Sequence, residues 1–367
     1  MSSIGEIFRT FAPEYLRRFG DAMLAEHGKV IDAILGCRTD VNGSVVYLCE
    51  NCDRRHLVHR GCGNRHCPGC QNHKGRQWLE KQLKRLLPGH HFMLTFTVPE
   101  PLRPFLRSHQ RIGYGALFAA ASAAIKRLAA DPRFVGGDSP GFFGVLHSWG
   151  RQLQYHPHIH FVVPGGALSS RSGLWHPSAA SFFLPVLALS KIYRAVFRER
   201  MAKAGLLGQI PREVWNSDWN VNSQAVGSAE ASIKYLTPYV FRVAISNSRI
   251  VKVEDGTVFF RYKKTGSNRQ RTLALDALEF IRRFLQHVLP TGFMKVRYYG
   301  FLSPASRVAL EEVRVKIEFA FGFSLSTPEA EPVPLPAMTC RHCGCELTYR
   351  HSILPHRRRM AARAPPG

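Results

Sequence analysis

Histidines alternate along one short segment of the chain, residues 155–163 (YHPHIHFVV). If this segment forms a β-strand, His158 and His160 project from one face and the residues between them from the other. Two imidazoles on one rigid strand could hold Zn²⁺ for hydrolysis, or Mg²⁺ or Mn²⁺ to polarise a phosphodiester. His156 is a further candidate ligand on the same strand. Three other side chains are chemically able to complete the site, and the sequence does not choose among them: Gln154, His147 and Asp218.

Two tyrosines, Tyr235 and Tyr239, lie four residues apart in the segment 232–239 (SIKYLTPY). On a helix this spacing places them on one face. A tyrosyl oxygen with a pKa of about 10 is a poor nucleophile. A metal-polarised phosphate and a nearby cation, for which Lys234 and Arg242 are candidates, would make its attack on a phosphodiester feasible. Tyrosines at this spacing are by themselves more typical of a core or an interface, so the pair gains its meaning from the histidines.

Cysteines form two groups, six within residues 37–70 and three within residues 340–345. An odd, clustered count is more typical of metal binding than of a disulfide framework. The first group contains two Cys-x2-Cys pairs separated by fourteen residues, which is nearly the spacing of a zinc ribbon. We predict one structural zinc on these two pairs, which are Cys49, Cys52, Cys67 and Cys70. A second zinc could be shared by four neighbouring residues: Cys37, Cys62, His66 and His73.

The cysteines near the end of the chain follow a Pro-rich stretch. Cys340, Cys343 and Cys345, together with His342, contain enough ligands for a metal site. Because they lie beyond this stretch, the sequence leaves open whether they bind a metal.

Charge and composition restrict the partners of the chain. Its 367 residues include 50 Lys and Arg against 26 Asp and Glu, a formal net charge of +24. A hydrophobic content of 45% excludes a disordered basic tail. The positive surplus favours a polyanion, with nucleic acid ahead of an anionic membrane. Because residues 1–10 lack the pattern of a signal peptide, we expect a cytoplasmic protein that associates with the nucleoid in use and has no membrane partner.

A scaffold for these side chains follows from the hydrophobic periodicity. Strands are predicted at 91–98, 142–149 and 158–163, and helices at 107–130, 185–204, 228–241 and 273–289. Their interleaving, with a hairpin turn at 254–256, indicates an α+β domain around a mainly antiparallel sheet. We divide the chain into a helix plus zinc-binding DNA-recognition domain (1–88), a catalytic domain (89–322), a Pro-rich linker (323–339) and a Cys-containing basic tail (340–367).

Basic residues are concentrated after the predicted hairpin, in residues 261–271 (RYKKTGSNRQR), and suit a phosphate-binding loop. Single-stranded DNA binds to such cations, with aromatic side chains available for stacking on its bases. The residues that we expect to contact DNA are Lys234, Arg242, Arg261, Lys263 and Lys264. Since the chain lacks a GxxxxGK[ST] motif, unwinding must come from host proteins or from DNA that is already exposed.

Taken together, these motifs resemble the transposases of rolling-circle insertion sequences, which belong to the HUH endonuclease superfamily and use two catalytic tyrosines. The matching stretches are 62–70 (CGNRHCPGC), 156–160 (HPHIH), 235–239 (YLTPY), 242–247 (RVAISN) and 279–300 (EFIRRFLQHVLPTGFMKVRYYG). They extend over about residues 10–320, and their combination is far more specific than any one of them. The chain departs from the family at Thr237-Pro238, where such proteins often carry a glycine and a basic residue.

Several properties are implied by the resemblance. It implies an HUH-type antiparallel sheet with helices and a catalytic metal held by His158 and His160. It also implies Tyr235 as the first nucleophile, Tyr239 as the second, and an N-terminal zinc domain that helps recognise the end of the element.

The expected function is therefore a DNA transposase that nicks and rejoins single-stranded DNA at insertion-sequence ends. Tyrosine transesterification, assisted by Mg²⁺ or Mn²⁺, would proceed through a 5′-phosphotyrosine, with Zn²⁺ in the N-terminal domain. Its partners would be the element ends, the target DNA, and host unwinding and replication proteins. Three alternatives remain: a rolling-circle replication initiator with the same chemistry, a non-catalytic zinc-stabilised DNA-binding regulator, and a zinc hydrolase using the three histidines.

Overall fold

The computed structural model describes residues 3–241, 244–264, 269–322 and 337–355. In chain order, the helices are α1 (Ile4–Phe19), α2 (Ala25–Leu35), α3 (Asn72–Leu83), α4 (Arg103–Ser108), α5 (Gln110–Ala129), α6 (Val186–Lys203), α7 (Ala229–Phe241), α8 (Ala277–Leu285) and α9 (Leu310–Phe321). The strands are β1 (Ser44–Cys49), β2 (Arg54–His59), β3 (His91–Thr97), β4 (Phe142–Trp149), β5 (Tyr155–Pro164), β6 (Gly166–Leu168), β7 (Trp175–Pro177), β8 (Val221–Gly227), β9 (Ile250–Glu254), β10 (Thr257–Lys263), β11 (Gln270–Asp276), β12 (Val296–Tyr299) and β13 (Thr348–Ile353). Among these described residues, no helix is both long and apolar enough to span a membrane.

The chain divides into two compact units, neither of which is continuous in sequence. The first unit comprises Met1–His73, Ile245–Val288 and Glu331–Gly367, and the second comprises Lys74–Ala244 and Leu289–Ala330. Residues 245–288 and the C-terminal segment therefore belong to the same unit as the N-terminal segment.

The first unit contains two three-stranded antiparallel sheets, with strand orders β13-β1-β2 and β11-β10-β9. Helix α1 begins at a capping box, in which Ser3 and Glu6 satisfy each other's free backbone N–H groups. Its Phe8 side chain is fully buried and meets Phe284 of α8 edge to face, with ring centroids 5.1 Å apart. Burial of such aromatic pairs joins the N-terminal helix to residues 245–288.

The second unit is built on a five-stranded sheet with the order β12-β4-β5-β3-β8, in which every neighbouring pair is antiparallel. Its central strand, β5, is the predicted histidine strand. Ile159 and Phe161 project into a large core that also contains residues of α5 and α6. Val162 projects from the opposite face into a second core, which includes Ile233 and Leu236 of α7. Since side chains alternate along β5, His158 and His160 lie on the α7 side of the sheet.

The predicted α+β class, with antiparallel sheets and flanking helices, is confirmed. One predicted element is wrong in part, because the helix expected at 273–289 is preceded by strand β11 and begins only at Ala277. The cause is local: Asp276 caps the helix by accepting hydrogen bonds from the backbone N–H groups of Leu278 and Glu279, at 2.9 and 3.1 Å. The residues before this cap alternate in exposure and pair with β10.

Candidate active site and metal centres

Strand register assembles three histidines in the second unit. In the β4–β5 pairing, His147 lies directly opposite His158, and two residues further along β5 lies His160. Directly opposed residues of an antiparallel pair point to the same face, as do residues two apart on one strand. Each of the three rings offers a nitrogen, and these nitrogens all lie within 4.8 Å of one another. We call this group the trihistidine cluster.

Hydrogen bonds at Nδ1 orient two of these rings. The Nδ1–H of His158 donates to the backbone carbonyl of His156 at 2.7 Å, which fixes the tautomer with a free lone pair on Nε2. His160 Nδ1 lies 2.9 Å from Thr95 Oγ1 on β3, and Thr95 is opposite His160 in the β3–β5 register. Donation from this Nδ1–H to the threonine hydroxyl would leave the Nε2 of His160 free as well. Metal-binding histidines are commonly held by such partners at their second nitrogen.

Burial keeps the cluster uncharged. It lowers the pKa of His147 and His158 well below the ordinary value and that of His160 to about 4, and repulsion between the rings lowers the pKa values of His147 and His158 further. All three imidazoles are therefore neutral at neutral pH, which is the form that binds a metal ion. A metal ion held by these three nitrogens would keep further coordination positions for water or for a substrate oxygen.

The other candidate ligands of this site do not join the cluster. His156 contributes its backbone carbonyl, and its ring centroid lies 5.1 Å from that of His158. The side-chain carbonyl of Gln154 accepts a hydrogen bond from the backbone N–H of Gln152 at 2.9 Å. Asp218 is exposed in the segment before β8. Of the three side chains that the sequence left open, the structure brings His147 to the other two histidines.

Helix α7 places Tyr235 beside the cluster. The helix packs on the sheet through the buried side chains of Ile233 and Leu236, while Tyr235 between them is 49% exposed. Its ring lies perpendicular to that of His160, with centroids 6.4 Å apart. The helix continues through Pro238 to Phe241, so Tyr239 follows Tyr235 by about one turn. The Tyr239 side chain lies outside the part of the chain that the structure describes.

A cation that the sequence analysis missed lies beside the cluster. Lys295, just before β12, holds its Nζ 4.6 Å from the centroid of the Trp149 ring. Trp149 stacks on His147, with centroids 5.3 Å apart, and the lysine charge contributes to the low pKa of that histidine. The only signal in the sequence was a lysine within one of the stretches that match the resembled family, and no spacing rule connects it to the histidines.

The expected DNA-binding residues are distributed over both units. Lys234 is exposed on α7 and forms an ion pair with Glu230 at 2.5 Å. In the first unit, Arg261 and Lys263 lie on β10 and Lys264 follows it, so the described start of this basic segment is a strand instead of a loop. Arg242 lies outside the described residues.

Cysteines of the first unit form two separate quartets. One consists of Cys37, Cys62, Cys67 and Cys70, and we call it the N-terminal quartet. Its sulfur–sulfur distances include 3.3 Å between Cys37 and Cys70 and 3.6 Å between Cys62 and Cys70. A hydrogen bond from Cys67 lowers the pKa of the Cys62 thiol to about 5, so one thiolate already forms near neutral pH. A zinc ion with bonds of about 2.3 Å to four thiolates needs sulfurs about 3.8 Å apart, and these residues fit that requirement.

The other quartet contains Cys49, Cys52, Cys340 and Cys343, and we call it the ribbon quartet. The prediction that Cys49, Cys52, Cys67 and Cys70 share one zinc is therefore wrong, because the structure divides these residues between the two quartets. The reason is that β13 pairs with β1 and brings the C-terminal cysteines to Cys49 and Cys52. Cys67 and Cys70 are instead met by Cys37 and Cys62.

Two histidines predicted to share a second zinc lie outside both quartets. His66 is buried, and its backbone N–H donates to the side chain of Asn64 at 2.8 Å. His73 is exposed in the first turn of α3. None of the nine cysteines, all of which are described, forms a disulfide.

Comparison with known proteins adds a family to this geometry. A family model described as "Putative transposase" matches residues 141–309, and another described as "Transposase zinc-binding domain" matches residues 7–98. Among curated proteins, the chain is 38% identical over 316 residues to "Putative transposase y4qJ" of Sinorhizobium fredii (strain NBRC 101917 / NGR234). The matched region covers 79% of each of the two chains. It is 29% identical over 302 residues to "Transposase for insertion sequence element IS801" of Pseudomonas savastanoi pv. phaseolicola, covering 75% of this chain and 70% of that protein. No solved structure matches the chain.

An α+β protein that combines a trihistidine cluster with a cysteine-rich N-terminal module is thus placed in the class of DNA-processing transposases. The first matched segment contains the trihistidine cluster, and the second contains the cysteines of both quartets apart from the C-terminal ones. The chain belongs to the IS91 family of transposases. DNA as the substrate and Zn²⁺ in the N-terminal module follow from this membership.

Proposed function

We propose that this transposase nicks and rejoins single-stranded DNA at the ends of its element, with Tyr235 as the first nucleophile. The observation that carries the proposal is the half-exposed Tyr235 ring lying 6.4 Å from that of His160. Solvent exposure lets a DNA strand reach the phenol, and the histidines provide a place for a divalent ion beside it. A structural role alone would not require a tyrosine to be exposed at this position.

In the proposed step, the phenolic oxygen of Tyr235 attacks the phosphorus of one phosphodiester. A Tyr–O–P bond forms as the bond from phosphorus to the 3′ oxygen breaks, which gives a 5′-phosphotyrosine and a free 3′-OH. The phenol loses a proton and the departing 3′ oxygen gains one, so the bond energy is retained for rejoining without a nucleotide cofactor. Lys295, whose charge lies close to His147, is suited to stabilise the phosphate charge during the attack.

The trihistidine cluster would hold the divalent ion through His147, His158 and His160. When bound there, the ion supplies polarisation of a phosphate oxygen. An all-imidazole set favours a transition metal over Mg²⁺, so of the two ions expected from the sequence Mn²⁺ should bind more tightly. Hydrogen bonds at Nδ1 of His158 and His160 hold the rings in position before any ion arrives.

Tyr239 is proposed as the second nucleophile, because α7 carries both tyrosines about one turn apart. Two nucleophiles would allow a donor end and a target end to be held at the same time. Lys234 and Arg242 on or near this helix would contact the DNA backbone, together with three basic residues of the first unit: Arg261, Lys263 and Lys264. Recognition of the element's end is assigned to the zinc-binding module, and unwinding to host proteins.

Covalent capture tests the proposal. The purified chain is incubated with Mn²⁺ or Mg²⁺ and labelled single-stranded oligonucleotides that span the sequences flanking its gene, and the products are separated under denaturing conditions. We expect a protein–DNA adduct with the wild type, with Tyr239→Phe and with the control Tyr349→Phe, which removes a hydroxyl from a similarly exposed tyrosine on β13. Tyr235→Phe and His158→Ala should give none.

Any other distribution of the adduct among these variants would contradict a specific part of the proposal. An adduct that survives Tyr235→Phe but disappears in Tyr239→Phe would reverse the order of the two nucleophiles. An adduct that survives both substitutions would exclude tyrosine catalysis on α7. Persistence of the adduct in His158→Ala, after metal removal by a chelator, would exclude a role for the trihistidine cluster.

A further inference from the structure

Two Cys-x2-Cys loops from opposite ends of the described chain meet in the ribbon quartet. Cys52 and Cys340 are 288 positions apart in sequence, yet their sulfurs lie 3.7 Å apart. Cys49 and Cys343 are separated by 294 positions, with sulfurs 3.3 Å apart. The Cys343 and Cys52 sulfurs are 3.8 Å apart. These distances agree with the spacing of about 3.8 Å that four thiolates adopt around a tetrahedral zinc ion.

The two loops share one backbone feature. In each loop, the residue directly after the second cysteine has a left-handed backbone conformation: Asp53 has φ of 50° and Gly344 has φ of 76°. In the C-terminal loop, the backbone N–H of His342 donates to the Cys340 sulfur at 3.4 Å. Such a bond stabilises a thiolate at that position. Two loops that each present a pair of thiols and face each other form a complete set of ligands.

The ribbon quartet is separate from the zinc site of the family's N-terminal module. The model for the zinc-binding domain ends at residue 98, so it contains Cys49 and Cys52 but neither Cys340 nor Cys343. The N-terminal quartet already has four sulfurs from within that domain. A second group of four thiols without any disulfide therefore needs its own explanation.

The side-chain contacts of the C-terminal strand β13 lie mostly at the surface. Five of the six residues of β13 are exposed, so hydrophobic burial contributes little to its attachment. Apart from its backbone pairing with β1, its contacts include a hydrogen bond from Arg60 to Ser352 at 2.6 Å and one from Thr348 to Glu50 at 3.1 Å. Single hydrogen bonds of this kind each contribute only modestly to stability, whereas a structural zinc site contributes directly to folding.

We infer that Cys49, Cys52, Cys340 and Cys343 bind a second zinc ion, which fastens the C-terminal segment to the N-terminal β-hairpin. The inference concerns a structural site, and it does not depend on the proposed nicking reaction. The four thiols lose their protons as zinc binds, and no redox change occurs. The module would thus be a two-zinc unit in which one site is local in sequence and the other joins residues about 290 positions apart.

Zinc content of the full chain, measured by elemental mass spectrometry, tests the inference. The double variant Cys340→Ser/Cys343→Ser should contain one zinc fewer per chain than the wild type. The matched control Cys345→Ser removes a neighbouring thiol outside the quartet and should lose none. The difference between samples is the readout, because the trihistidine cluster can add a similar amount of zinc to all of them.

Hydrogen exchange of the β13 amides distinguishes loss of this site from loss of the fold. Exchange should become at least about tenfold faster in Cys340→Ser/Cys343→Ser than in the control. The double variant Cys62→Ser/Cys67→Ser should also lose one zinc, but with β13 still protected. The inference is overturned if Cys340→Ser/Cys343→Ser loses no zinc, if it loses two, or if peptide mapping finds the quartet joined by disulfides in the zinc-loaded protein.

Discussion

Thr95 should control the metal affinity of the trihistidine cluster without touching the metal. Its hydroxyl lies 2.9 Å from His160 Nδ1, and His160 is only 8% exposed. Thr95→Val keeps the shape of the side chain but removes the hydrogen-bond acceptor. The buried imidazole can then move its proton to Nε2, which is the nitrogen that the metal needs.

The size of the effect follows from this single bond. An unsatisfied buried donor costs about 1–3 kcal/mol, and loss of a partner behind a metal-binding histidine typically lowers metal affinity 10- to 100-fold. We therefore expect the dissociation constant for Mn²⁺ to rise about 10- to 100-fold, which corresponds to about 1.4–2.7 kcal/mol. Thr95→Ser retains the hydroxyl and should stay within about threefold of the wild type.

Calorimetric titration of the full chain with Mn²⁺ measures this constant, and the covalent-capture assay supplies a second readout. At limiting Mn²⁺ the adduct yield of Thr95→Val should fall, and at saturating Mn²⁺ it should recover, because Tyr235 is unchanged. Equal Mn²⁺ affinities for the valine and serine variants would refute the reasoning. A yield that stays low at saturating metal would mean that Thr95 acts on something other than metal affinity.

Three further predictions concern the same unit. His147→Ala should weaken Mn²⁺ binding by at least about 100-fold in the same titration, since it removes a ligand and not merely a partner; an unchanged affinity would exclude His147 as a ligand. Folding lowers the pKa of His160 from 6.5 to about 4, so between about pH 4 and pH 6.5 the unfolded chain binds more protons than the folded chain. The free energy of unfolding therefore decreases as the pH falls through this range. In urea unfolding of the metal-free protein, His160 should make the free energy of unfolding about 2 kcal/mol lower at pH 5 than at pH 7. His160→Gln should remove this part of the pH dependence. Leu236→Ala, at a fully buried position of α7, should cost about 2–5 kcal/mol in the same urea experiment and lower the adduct yield, whereas Lys234→Ala on the exposed face should leave stability within about 0.5 kcal/mol.

The histidine strand could be predicted from sequence because its information is local. Alternation of polar and apolar residues in 155–163 predicts both a strand and the shared face of His158 and His160. His147 could not be selected in the same way, since its position depends on the β4–β5 register, which includes a shift between His147 and Trp149. Thr95 is also positioned by register, and its residue type gives no chemical signal.

The cysteines illustrate the opposite case. Their residue types predicted metal binding, but the spacing of a zinc ribbon suggested the wrong partners. Sequence spacing identifies metal sites whose ligands all come from one short segment. The four cysteines of the ribbon quartet are instead brought together by the pairing of β1 with β13. That pairing carries little hydrophobic pattern, because most of β13 is exposed.

The pairing of β13 with β1 also has a consequence for synthesis. Strand β1 can meet β2 within a few residues, but its other edge must wait for about 300 more residues to leave the ribosome. Until then, the module exposes an open strand edge and two cysteines without their partners, a state that invites misassembly. A product truncated before Thr339 would contain every residue of the β1–β2 hairpin. It would lack the third strand of the sheet and the two C-terminal cysteines of the ribbon quartet. Strand β13, which is translated about 300 residues after β1, therefore decides whether the sheet of the N-terminal hairpin is complete.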